Sequence, residues 1–382
     1  MRYRLTLKDP LTKIPGSAGM RQVLPGRGRR MAAYVYAGAA GWVGAPKGIP
    51  TRGLFRAGAG DDRWDSLTSG LPEAVEVRAL TVRPAAPNVV YAGTQAGPYV
   101  SEDAGGSWRA LPLPGSNRVV WSILLHPSEP GTLYVGTEGT GIYRSRDHGA
   151  SWRELAVPAP EGMLRMDFPA RVVRLALDPS NPDEIYAGLE VGGVVRSTDG
   201  GDSWQSCNAG LLAFAKQDRF KSRIGTDSDS EGMLDSHALT LSPARAGEVV
   251  LANRMGLFRS ADRGRNWADM QVGRHSPLTY ARDVRVSRHD VNTLYAALSV
   301  AAISDAGSLY RSRDLGASWQ RFDHDVSIES TLMIAAEGAT DPDLIYCAAR
   351  RGQVFGTVDG GKTWRASRLP GGVQGIYALA AA

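Results

Sequence analysis

SEDAGGSW (101–108), SRDHGASW (145–152), STDGGDSW (197–204), SADRGRNW (260–267), SRDLGASW (312–319) and TVDGGKTW (357–364) are six copies of one octapeptide, Ser/Thr-x-Asp-x-Gly-x-x-Trp. Their aspartates lie 44, 52, 63, 52 and 45 residues apart, a period that belongs to propellers and solenoids. Each copy sits between two short apolar runs, as with GIYRS before and WREL after the second, so each is a hairpin turn. The chemistry suits that role. The Asp carboxylate accepts backbone N–H bonds across the turn, the Gly adopts a backbone angle that a Cβ would forbid, and the Trp buries a large apolar face between neighbouring units. Asp-x-x-Gly also occurs in calcium loops, but an EF-hand needs further acids and a Glu at position 12, which no copy has.

The residues upstream of each box repeat as well. VRALTVRPAAPNVVYAGT (77–94), VWSILLHPSEPGTLYVGT (120–137) and VVRLALDPSNPDEIYAGL (172–189) each read as a strand, a Pro-marked turn and a second strand. Residues 236–252, 281–298 and 331–348 follow the same plan. With the box hairpin this makes four strands per unit, A to D from the centre outward. A partial seventh unit stands at the N-terminal end. YVYAG (34–38) matches strand B, GLFRA (53–57) matches strand C, and the box has decayed to AGAGDDRW, keeping Trp64. Its missing strand A has the pattern of GIYALAA (375–381). The expected fold is therefore an all-β, seven-bladed β-propeller over residues 31–382, closed by pairing the C-terminal strand into blade one. Closure removes open sheet edges. Residues 1–30 are an unassigned flank in which YRLTL (3–7) has the pattern of a strand.

The six boxes and the blade plan resemble the Asp-box (BNR) superfamily over residues 31–382. That superfamily includes sialidases, xyloglucanases, sortilin-type receptors and photosystem II assembly factors. The resemblance implies the propeller fold and a structural role for the boxes. It leaves function open, because fold does not carry function.

Composition narrows the field. The 43% hydrophobic and 22% charged residues are those of an ordinary globular chain, and the two cysteines, Cys207 and Cys347, form no metal or disulfide pattern. The net charge of +5 is dispersed, and the nearest basic cluster, Lys216, Arg219, Lys221 and Arg223, is followed at once by Asp227, Asp229 and Glu231. Nucleic acid would call for an undiluted basic stripe and is not expected as a partner. No stretch approaches the roughly 20 apolar residues of a membrane span, so a membrane is not expected either. The N-terminus has no apolar core of a secretory signal, which gives a cytoplasmic expectation.

The blade plan also assigns each loop to a face. Boxes and A–B turns share one face, the bottom; D–A and B–C loops share the other, the top. The long segments 38–53, 154–171, 205–236 and 298–308 all fall on the top, which marks it as the working side. Seven of the nine tryptophans belong to boxes, counting the decayed one, and the other two, Trp42 and Trp121, map to the top as stacking platforms. Arg78 and Arg282, near inner-strand starts, would fork a ligand carboxylate or phosphate, with Tyr377 beside them. His237, Asp235, Asp283, Glu329 and Tyr280 are the expected proton-moving residues, with Asp167 and Glu190 as further carboxylates. His237, His275 and His324 would converge on a divalent metal if they share one mouth; no other cofactor is indicated. A sialidase would show an Arg triad and an early Phe/Tyr-Arg-Ile-Pro motif, and KGIPTRG (47–53) only echoes the latter. The expected function is a top-face channel binding a small polar, anionic or carbohydrate-like substrate, as a hydrolase or lyase. The competing expectation is a non-catalytic interaction or assembly propeller with a protein partner on the top face, docked through the 205–236 loop.

Overall fold

The apolar alternation of the inner strands fixes which faces pack, and the boxes fix where each hairpin turns. In the computed structural model, residues 33–42, 45–115 and 118–382 are described; the flank 1–30, with its expected strand at 3–7, lies outside them. Among the described residues the strands form seven four-stranded sheets, each with order A-B-C-D. The A strands are Ile376–Ala381, Val77–Arg83, Val120–Leu125, Val172–Asp178, Ser236–Leu241, Tyr280–Val286 and Leu332–Glu337 for blades one to seven. All pairing within a blade is antiparallel, and blade one is completed by the C-terminal strand, with Val35 opposite Ala381 and Ala39 opposite Ile376. The ring closes as the sequence predicts.

Each box is a hydrogen-bonded knot. In the blade-four copy, Ser197 Oγ donates to Asp199 Oδ1 at 2.7 Å, Ser203 N–H donates to the same oxygen at 2.8 Å, and Ser203 Oγ donates to Oδ2 at 2.6 Å. Donation from Ser203 and Ser197 pulls the Asp199 carboxyl down to about 2. The residue before the box glycine is also left-handed in all six copies, as with His148 (φ 59°) and Leu315 (φ 55°). That left-handed turn has a use. It turns the carbonyl outward, where the preceding blade grips it: Arg144 Nη1 and Tyr134 Oη donate to Gly200 O at 2.8 and 3.0 Å. Its N–H in turn donates to the A–B turn of its own blade, as Gly200 does to Asp183 O at 2.9 Å. Boxes and A–B turns therefore do share a face. The box tryptophans reach across blades too, with Trp267 Nε1 donating to Cys207 O at 2.9 Å and Trp64 Nε1 to Ser367 Oγ at 3.1 Å.

The Tyr-x-Gly of strand B has a packing cause. A Cβ on Gly93 would stand 2.7 Å from Val120 Cγ1, so glycine is what lets the next blade's inner strand close in. Both cysteines are buried and free, and burial pushes the Cys207 thiol up to about 12. No described helix is long and apolar enough to cross a membrane.

Candidate functional site

Every inner strand carries the same irregularity. The register slips by one residue near the start of this strand in all seven blades, leaving Arg78, Trp121, Val173, His237, Arg282, Met333 and Tyr377 as the extra residue of a β-bulge. A bulge re-aims a side chain. Here it aims all seven at the axial channel, where together they line a tight waist of about 90 Å³. Five of the seven are residues the sequence singles out; Val173 and Met333 complete the ring with apolar surface.

Around this ring the top mouth is rich in arginine and aromatic faces. The Trp121 ring lies between the Arg171 and Arg78 guanidiniums, 4.5 and 5.0 Å from its centroid, and meets Tyr377 edge-on at 5.7 Å. Arg350 stands over Trp42 at 5.9 Å, so Trp42 belongs to the mouth. Three arginines have acids: Arg78 with Glu76 at 2.6 Å, Arg171 with Glu190 at 2.6 Å, and Arg254 with Asp235 at 3.1 Å. Arg282 has none. It makes no hydrogen bond or ion pair with any described residue and instead lies 6.0 Å from the Tyr377 ring. Burial alone would push its pKa down, but Tyr280, Tyr377, Asp235 and Glu190 outweigh that and hold it above the ordinary value.

His237 is fixed from both sides. Its Nδ1 is 2.7 Å from Ala281 O and so carries the proton, which leaves Nε2 facing Asp235 Oδ2 at 3.3 Å and Tyr280 Oη at 3.4 Å. Burial drives the imidazolium pKa down more strongly than Asp235 raises it. Asp235 is held down to about 2 despite its burial. His237 lowers it most, and Arg254 and Arg282 add to the pull. Glu190 goes the other way: burial pushes its carboxyl up against the pull of Arg171. Two carboxylates at one mouth thus have pKa values driven apart, the arrangement that separates an acid from a base.

The 205–236 segment places Asp235. It folds into helices Ala209–Ala215 and Glu231–Leu234, with Phe214 and Phe220 packed on Phe258 of blade five at 5.3 and 5.5 Å. Leu211, Met233 and Leu234 are fully buried, and Asn253 Nδ2 donates to Met233 O at 2.9 Å. This is an anchored cap on blade five rather than a loose arm.

Other expected site residues lie elsewhere. Asp283 sits below the ring, where it accepts from Arg174, Arg285 and the Ala335 N–H at 2.8, 2.7 and 3.0 Å, tying blades four and seven to blade six. Glu329 is exposed on the outer side with Arg368 at 2.6 Å. Asp167 is exposed in the 154–171 segment. The histidines expected to share a metal do not converge. His275 is exposed after a short 3₁₀ turn, and His324 contacts the Lys362 carbonyl in the blade-seven box at 3.3 Å. No group of three metal-ligating side chains exists among the described residues.

With seven four-stranded blades and six intact boxes in place, the comparisons with known proteins agree with the fold. A family model described as sortilin, neurotensin receptor 3 matches residues 97–229. These matches and the seven-bladed fold fit the Asp-box propeller superfamily. This Asp-box propeller is 26% identical over 301 residues to a xyloglucanase of Paenibacillus sp, covering 69% of this chain and 26% of that one. It therefore spans about a quarter of the length of that relative. Among solved structures, the xyloglucanase of Xanthomonas campestris superposes with a TM-score of 0.58 at 18% identity, over 80% of this chain and 46% of that one. YCF48 bound to D1 peptide superposes with a TM-score of 0.50 at 16% identity, over 78% and 83% of the two chains. These two structural likenesses are of fold.

Proposed function

We propose that the top-face mouth of this propeller binds a small, carboxylate-bearing, carbohydrate-like ligand and hydrolyses it. One observation carries the reading: the repeated bulge delivers Arg282, with no acid paired to it, into a waist beside His237 and the Asp235–Glu190 pair. Arg282 and Arg350 meet the ligand's acid group, since a guanidinium matches a carboxylate in two-point geometry. Trp121 and Trp42 offer ring faces to the sugar. Glu190, raised by burial, supplies the proton to the leaving oxygen, while anionic Asp235 acts as base or nucleophile on the other side. Arg254 holds Asp235 in place at 3.1 Å, and Tyr280 Oη meets His237 Nε2 at 3.4 Å behind it. The waist admits a head group only, so the body of the ligand lies across the top face. Similarity to a xyloglucanase supports carbohydrate as the substrate class, and the unpaired arginine favours an acidic sugar over a neutral one.

The test is turnover of glucuronate-bearing oligosaccharides against neutral xyloglucan oligosaccharides by the wild type and by Arg282→Ala and Glu190→Gln. The acidic substrate is expected to be preferred, with the preference lost in Arg282→Ala and turnover lost in Glu190→Gln. Equal use of both substrates, or an active Glu190→Gln, removes the assignment.

A second reading is supported by different residues. Val300 and Ile303 are 61% and 60% exposed in the top-face B–C loop of blade six, an apolar tip suited to a protein partner. The superposition on YCF48 bound to D1 peptide is in keeping with it. A pull-down that fails with Val300→Ser/Ile303→Ser while oligosaccharide turnover is absent throughout would favour this reading.

A further inference from the structure

Below the waist the axial channel widens into a chamber of about 690 Å³ that reaches the A–B turns at Pro84, Pro127 and Pro179. Its wall is largely aliphatic, with Leu80, Leu124, Leu177 and Val286 facing it. Its roof is charged. Asp283 holds both Arg174 and Arg285, and the Arg174 Nε is buried with no partner. Near the rim, the Arg288 guanidinium makes no hydrogen bond or ion pair with any described residue, while Glu337 is occupied by Ser287 Oγ at 2.7 Å and the Arg288 N–H at 2.6 Å. Arg174 and Arg285 thus share one carboxylate, Asp283, at the roof of the chamber, and Arg288 adds a third guanidinium at its exposed rim. Burial, together with repulsion from Arg285, pushes Arg174 down to about 10. An unmet positive charge inside an apolar-walled space calls for a counter-anion that brings its own apolar surface. A free inorganic ion would leave the wall wetted, and a neutral hydrocarbon would leave the guanidiniums uncompensated.

We propose that this lower chamber is a second ligand site, separate from the mouth, for a small amphiphile with one carboxylate head on an aliphatic body. The head lies between Arg285 and Arg288 and the body lies along Leu80, Leu124 and Leu177. The chamber is enclosed by the ring, so the ligand enters as a free molecule and not as part of a bilayer.

Isothermal titration of the full chain with octanoate tests this, with 1-octanol and inorganic phosphate as the two half-ligands. Saturable binding of octanoate is expected, at least tenfold tighter than either half-ligand. Arg288→Ala should weaken it at least tenfold, and Thr81→Trp, which fills the chamber without touching a charge, should remove it. Arg282→Ala, at the mouth, should leave it unchanged. Melting curves on each variant separate lost binding from lost folding, and the solvent-facing Arg288 gives a variant that keeps its fold. Absence of saturable octanoate binding, unchanged affinity in Arg288→Ala, or loss confined to Arg282→Ala overturns the proposal. None of these results bears on oligosaccharide turnover at the mouth.

Discussion

Two features recur in this ring, one at each end of the blades, and they are filled in opposite ways. At the bottom, six boxes repeat nearly the same residues, Ser/Thr-x-Asp-x-Gly-x-x-Trp. At the waist, seven bulges repeat the same backbone slip and hold Arg, Trp, Val, His, Arg, Met and Tyr. Where one chemistry repeats, the product is geometry, since each box ties its own hairpin and, at Ala104, Gly200 and Leu315, the blade before it. Where one backbone deviation repeats with different side chains, the scaffold is presenting a site. The box end stabilises and the bulge end binds.

That division can be broken by substitution. The largest effect is expected from Arg282→Ala combined with His237→Ala. Charge-assisted hydrogen bonds are worth roughly 1.5–3 kcal/mol each, so binding of a glucuronate-bearing ligand should fall by about two orders of magnitude while the melting temperature moves by only a few degrees. The pH profile comes next. Turnover needs Asp235 ionised and Glu190 protonated. Activity should therefore rise as pH climbs past about 2 and decline as pH passes the raised Glu190 value, above the usual carboxylate range. Glu190→Gln should abolish turnover at every pH. An optimum above neutrality would assign the acid to another group.

The reverse result is expected where geometry is the product. Gly93→Ala puts a Cβ 2.7 Å from Val120 Cγ1 and 2.9 Å from Ala79 Cβ, which should destabilise by about 1–3 kcal/mol in urea melts. Asp199→Ala removes the acceptor for three donors and should lower the melting temperature without changing ligand affinity. The smallest effect is expected from Val173→Ala, whose apolar side chain only completes the ring; affinity should change less than twofold.

The fold was legible because its signals are local and periodic. The box spacing, the strand pairs around each Pro turn and the matching of GIYALAA to the open blade needed no tertiary knowledge. The site was legible in part. Arg78, Trp121, His237, Arg282 and Tyr377 stand out as polar or aromatic residues at inner-strand starts, yet the bulge that unites them leaves no break in the apolar pattern. Aligning the strand starts VRAL, VWSI, VVRL, SHAL, ARDV, LMIA and IYAL would reveal it, since their second position varies freely in kind, from Val and Met to Arg and His. Asp283, one residue past the bulge, turns down the channel into an ion-pair cluster that sequence position cannot distinguish from the mouth. His275, His324 and Glu329 lie in loops whose course is set by packing on the outer blades, so their distance from the axis was not readable.

The account rests most on the claim that seven residues far apart in sequence face one opening. An alanine scan of those seven positions, reading ligand affinity by titration and stability by melting for each variant, tests it directly. Affinity for the glucuronate-bearing ligand should fall at Arg78, Trp121, His237, Arg282 and Tyr377, hold at Val173 and Met333, and move independently of melting temperature. Affinity that holds at all seven while stability drops would mean that the bulged side chains serve blade packing and not a binding site.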